Sequence, residues 1–186
     1  MRVGGIVSCL SFLFVAAPAW AQPATPRVEI FGGYSLLPAD PDTDFPRRTS
    51  HGFQVSAAGN LTNWFGIFAD LGLHGNTNRD VGPHYEGVVA RTRVTQFLFG
   101  PRFTARSERI NAFAHGLIGR VRGDAGENFS GFSDTEAAFG GGVGIDVRLR
   151  ERLSVRGQVD LFASFTDIVE GNPRVAVGLV LGLGGS

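Results

Sequence analysis

Lysine is absent from this 186-residue chain, whose 17 basic residues are all arginine, and cysteine occurs once, at Cys9. That cysteine falls inside an expected export leader. The mature chain therefore has no thiol, which excludes disulfides, CxxC redox pairs and thiolate metal sites. The arginines balance 17 acidic residues and are scattered singly or in pairs. They form no basic stripe of the kind a nucleic acid requires. Beyond the leader no apolar run reaches the length of a membrane-spanning helix. Helical periodicity is missing too, and glycine is too frequent inside the extended segments for stable helices. The chain carries no G-x-S-x-G elbow. His51, His74, His84 and His115 form no HxxxH or HxH spacing, and three of them lie in or near the longer connections.

The leader is read over residues 1–21. Met1-Arg2 supplies the positive start, Ile6 to Ala17 the apolar centre and Ala19-Trp20-Ala21 the cleavage site before Gln22. Ile6-Val7-Ser8-Cys9 loosely resembles a lipidation box. Its cysteine precedes most of the apolar region, however, which argues against lipid attachment. One domain is expected over residues 22–186.

What the mature chain has in quantity is two-residue alternation. In Leu153–Phe165 the odd positions include Leu153, Val155, Val159, Leu161 and Phe165, and the even ones Arg156, Gln158 and Asp160. Successive side chains of a strand point to opposite faces, so one face is apolar and the other polar. Turn signals divide the chain into eight such segments: Val28–Leu37, His51–Gly59, Trp64–His74, Arg91–Thr104, Ile110–Arg122, Thr135–Val147, Leu153–Phe165 and Arg174–Leu183. In the fifth, either phase mixes apolar residues with His115 or Arg120, and its faces stay open.

The connections sort by length. Pro38–Ser50, Gly75–Ala90, Gly123–Asp134 and Thr166–Pro173 are long, whereas Asn60–Asn63, Ala105–Arg109 and Arg148–Arg152 are short. An even strand number with alternating long and short connections is how outer-membrane barrels are built. The fold class expected is all-β, an eight-stranded antiparallel up-and-down transmembrane β-barrel with both termini in the periplasm. A soluble periplasmic ligand-binding barrel would show the same periodicity with the faces reversed. Export, sorted connections and aromatics near strand ends favour the membrane form. Phe53, Phe139 and Phe165 are expected near the outer rim, and Trp64, Phe65 and Phe103 near the periplasmic one.

The interior of so small a barrel is only wide enough for side chains. A polar structural network is expected there from Glu29, Gln54, Asp70, Gln96, Arg102, Asp146, Arg156, Gln158 and Asp160, with Asp146 opposite or diagonal to Arg156. Unpaired charges would be costly in a narrow lumen, so alternating signs read as mutual pairing. Gly140, Gly142 and Gly144 share the inward phase of the sixth strand and leave volume for long residues on the seventh. This glycine run lacks the GK[ST] ending of a phosphate loop. Asp40, Asp42 and Asp44 lack the glycine and glutamate of a calcium loop. Asn60-Leu61-Thr62 matches a glycosylation sequon but reads more simply as a polar turn. No catalytic residue, cofactor or metal is expected.

The chain resembles the OmpA-like family of small eight-stranded outer-membrane β-barrel proteins, on Val28-Glu29-Ile30-Phe31-Gly32-Gly33-Tyr34-Ser35, Phe97-Leu98-Phe99-Gly100-Pro101-Arg102 and Val175-Ala176-Val177-Gly178-Leu179. The resemblance implies a bacterial outer-membrane location and contact with outer-membrane lipid and lipopolysaccharide. It also implies delivery by the barrel-assembly machinery and a monomeric state. Family members usually end their last strand on an aromatic residue, and here Leu183 and Gly184 stand instead. Family lipid deacylases carry His-x-Ser, whereas His115 is followed by Gly116-Leu117. The expected function is a non-enzymatic structural or surface-interaction barrel. The alternatives are a narrow pore and a lipid A-modifying enzyme.

Overall fold

The computed structural model describes residues 25–38, 49–79, 89–127, 130–164 and 172–184. Its elements are β1 (Val28–Leu37), β2 (Ser50–Asn60), β3 (Phe65–Arg79), β4 (Val89–Arg106), β5 (Ile110–Glu127), β6 (Ser130–Arg150), β7 (Leu153–Ser164) and β8 (Asn172–Leu183). Each strand pairs antiparallel with its sequence neighbour, and β8 returns to pair with β1, closing the barrel. Closure leaves no row of unpaired backbone N–H and C=O groups, which hydrocarbon could not solvate. No described helix is long and apolar enough to cross a membrane.

Alternation turns the apolar face outward. In β2, Gly52, Gln54, Ser56 and Ala58 are buried while Phe53, Val55 and Ala57 are exposed. In β7, Val159 and Leu161 are exposed and Val155 is half-buried on the same face, whereas Arg156, Gln158 and Asp160 are buried. A soluble barrel would bury the first set and expose the second. The fifth strand takes the phase that buries Asn111, Phe113, His115 and Leu117 and exposes Ile110, Ile118 and Arg120.

Two connections differ from expectation. The barrel extends into both ends of Gly75–Ala90, with β3 reaching Arg79 and β4 starting at Val89, and through most of Gly123–Asp134. There Gly123 pairs with both Val94 and Asp134, and Ala125 with both Thr92 and Phe132. Glycine and aspartate read as turn formers locally, but backbone bonds on both sides override that preference. Only residues 128–129 separate β5 from β6. Asp40, Asp42, Asp44, His84 and Phe165 lie outside the described residues.

The opposite end is tight, its connections being Leu61–Trp64, Ser107–Arg109 and Glu151–Arg152. It is called the turn end below, and the end with extended strands the loop end. In the first turn, the Thr62 hydroxyl accepts the backbone N–H of Phe65 at 3.0 Å. The Asn60 side chain donates to the Pro26 carbonyl at 2.8 Å and to Glu29 at 3.0 Å, an internal use that suits a turn rather than a glycan site. Trp64, Phe65 and Phe103 cluster here, the Trp64 and Phe103 rings stacking at 6.1 Å. Tyr34 and Phe53 meet edge to face at 6.3 Å toward the loop end.

Candidate functional site

The feature with the most chemistry is the lumen. All nine polar residues expected inside are buried, none more than 4 % exposed. They come from six strands, which inward phase alone brings together, and they form two layers.

The layer nearer the turn end joins Glu29 of β1, Arg102 and Arg106 of β4, Asp146 of β6 and Arg156 of β7. Asp146 stands directly opposite Arg156 in register, and the guanidinium grips it through two bonds, at 2.6 and 2.8 Å. Arg102 bridges Glu29 at 3.0 Å and Asp146 at 3.3 Å, and Arg106 adds a second contact to Glu29 at 2.9 Å. The Phe113 ring lies against both guanidiniums, 4.1 Å from Arg102 and 4.5 Å from Arg156. Ring faces attract cations most strongly where water is excluded, so this phenyl group adds to the attraction that holds both guanidiniums in place.

The second layer centres on Arg174 of β8. Its guanidinium contacts Asp70 at 2.7 Å, Asp160 at 2.7 Å and the Gln96 side-chain oxygen at 3.1 Å. Asp160 also meets His115 Nε2 at 2.8 Å and accepts from Gln158 at 2.9 Å. Gln54 donates to Asp70. His115 stacks on Phe68, and Arg174 lies over Phe162 at 4.7 Å. Farther toward the loop end, Ser35 and His74 share a buried hydrogen bond.

Arg174, Arg106, His74 and His115 are the members that sequence reasoning did not assign to the lumen. Arg174 begins the last apolar segment, and its even number was the available signal, since Ala176, Gly178 and Val180 share its phase. Arg106 falls in the expected Ala105–Arg109 connection. His74, the last residue of the expected third segment, is buried because β3 continues past it to Arg79. Among the described residues no group of three or more His, Cys, Asp or Glu is arranged to hold a metal ion. The carboxylates are instead saturated by guanidinium, an arrangement suited to locking strands together.

Glycines make the room. Gly140, Gly142 and Gly144 stand opposite Phe162, Asp160 and Gln158. A Cβ on Gly142 would collide with the Asp160 carboxylate and approach His115 Nε2 to 2.8 Å. Gly142→Val is therefore expected to lower folding stability by about 1–3 kcal/mol, the usual effect of overpacking. Urea unfolding of the barrel in lipid vesicles measures it, and a loss no larger than that of the outward Gly157→Val would refute the packing argument.

Solved structures share this architecture. Ail, the attachment invasion locus protein of Yersinia pestis, superposes with a TM-score of 0.62 at 14% identity, covering 84% of this chain and 98% of that chain. It has also been crystallised with the heparin analogue sucrose octasulfate. Neisserial surface protein A gives a TM-score of 0.61 at 8% identity, covering 84% of this chain and 97% of its own. OprG of Pseudomonas aeruginosa gives 0.57 at 9% identity, covering 86% and 97%. Identities this low show a common fold alone. No curated protein matches the sequence. Residues 7–183 match the outer membrane protein β-barrel domain, and the chain belongs to that family: it is an integral barrel of the bacterial outer membrane.

Proposed function

We propose that this is a non-conducting, non-enzymatic surface barrel, monomeric, with the turn end and both termini in the periplasm. The observation that carries the reading is the filled lumen. Arg102, Arg156 and Arg174 cross it while essentially inaccessible to water, each engaged by carboxylates from other strands. A conducting path needs hydrated charges, whereas these are neutralised in place. Planar-bilayer recording is expected to give no stable openings. Openings whose size changes in Asp160→Asn or Arg156→Gln would overturn the reading.

Against lipid A chemistry stands His115, which faces Asp160 inside the barrel and not the lipid. Lipid A mass spectrometry after deletion and overexpression of the gene is expected to give identical profiles, and a changed acyl pattern would refute this.

The interaction surface is the extension of β4, β5 and β6. Beyond outward Ile118, the next positions on that face of β5 are Arg120, Arg122 and Asp124, flanked across the ladder by Phe97, Thr95 and Arg93. Arg122 pairs with Asp124 at 3.1 Å and remains 57% exposed. The β5–β6 hairpin continues beyond Arg120 to Glu127, which at about 3.4 Å per residue is roughly 25 Å of strand. Arginines at this height suit phosphate or sulfate groups, either of lipopolysaccharide or of external glycans. The polyanion bound by Ail supports this class of partner.

A further inference from the structure

The lumen opens at the turn end into a cavity of about 610 Å³, within the size range of small-ligand sites. Its floor is the first ion-pair layer, where Glu29 and Asp146 are already saturated by Arg102, Arg106 and Arg156. The mouth carries Arg109, Arg148, Arg150 and Arg152 against Glu108 and Glu151. None of these four arginines makes an ion pair among the described residues.

The backbone holds this collar in place. Arg148 N–H donates to the Arg109 carbonyl at 2.8 Å, tying the end of β6 to the β4–β5 turn, and Gly182 N–H of β8 donates to the Arg152 carbonyl of the β6–β7 turn at 2.8 Å. Excess positive charge around a low-dielectric recess focuses the field into it. The backbone of this collar is already bonded in position, so a ligand has to order only the arginine side chains.

We propose that this vestibule binds an acidic peptide segment of a periplasmic partner. Guanidinium forks match carboxylates in a bidentate way. The interspersed glutamates and the apolar Leu149 and Val180 of the lining suit a peptide, with amide groups and mixed side chains, better than a bare inorganic anion. The periplasmic source of the partner rests on the orientation proposed above.

The test uses the full barrel folded in detergent and a fluorescent glutamate-rich nonapeptide, with a lysine-rich peptide as comparison. Saturable, salt-sensitive binding of the acidic peptide is expected, weakened at least tenfold in Arg109→Gln/Arg148→Gln and tightened in Glu108→Gln/Glu151→Gln. Inorganic phosphate should displace it only at far higher concentration than unlabelled peptide does. Heat-modifiable migration verifies that each variant is folded, and Arg150→Gln/Arg152→Gln, both at exposed sites, substitutes for a variant that is not. Absence of binding, unchanged affinity in the folded arginine variants, or displacement by phosphate at the peptide's own concentration overturns the site. An Arg152→Cys protein labelled by an impermeant maleimide in intact cells would instead overturn the orientation, and with it the periplasmic partner, whatever the peptide result.

Discussion

Replacing Arg174 by methionine is expected to lower the folding stability of the barrel by about 3–5 kcal/mol, the usual consequence of removing one partner from a buried ion pair. The position is severe because a single guanidinium serves two carboxylates. Asp70 and Asp160 are both buried and both 2.7 Å from it. Without the cation two buried carboxylates are left without their positive partner. Methionine retains much of the volume and the contact with Phe162, so the loss reports on charge rather than on a cavity. The cause can be isolated by neutralising the carboxylates as well. Arg174→Met with Asp70→Asn and Asp160→Asn should regain most of the lost stability, because buried ion networks replaced as a whole are often nearly neutral. Urea unfolding in phospholipid vesicles, followed by Trp64 fluorescence, measures both. A loss below about 1 kcal/mol in the single variant would contradict a central role for Arg174.

Val143→Arg should cost about 2–4 kcal/mol, the penalty for a cation on the lipid face of a barrel near the midplane. Val143 is 60% exposed, stands opposite exposed Val159 on β7, and is remote from both strand ends of that pairing. On a soluble barrel an arginine at so exposed a site would be almost free of cost. The same experiment at Phe53, itself 68% exposed but close to the loop end, should give about 0–1 kcal/mol, because a long side chain there reaches the interface. Equal penalties at the two positions would contradict a depth-dependent apolar environment.

Much of this architecture was legible along the chain because a strand writes its two faces into odd and even positions. Leu153–Phe165 displays that pattern plainly, and the closed sheet places its Arg156, Gln158 and Asp160 inside. The strands on either side of residues 128–129 were less legible. Gly123, Asp124 and Asp134 look like turn residues taken singly, and only the partner strands show that their backbone groups are used in a ladder. His115 was undecidable for a related reason. One phase of its strand buries His115 and the other Arg120 and Arg122, and the phase adopted sets His115 against Asp160.

The sequence by itself therefore determined the strand number, the division of each strand into an apolar and a polar face, and the set of polar residues that share one face, since these depend on local period and composition. The tertiary structure alone decided which charge meets which. It made Arg174 the bridge between Asp70 and Asp160, drew His74 and His115 inside, and gathered the arginines of two turns and the end of β6 around one cavity. Such partnerships depend on the closed register among eight strands, and no single stretch of chain contains that information.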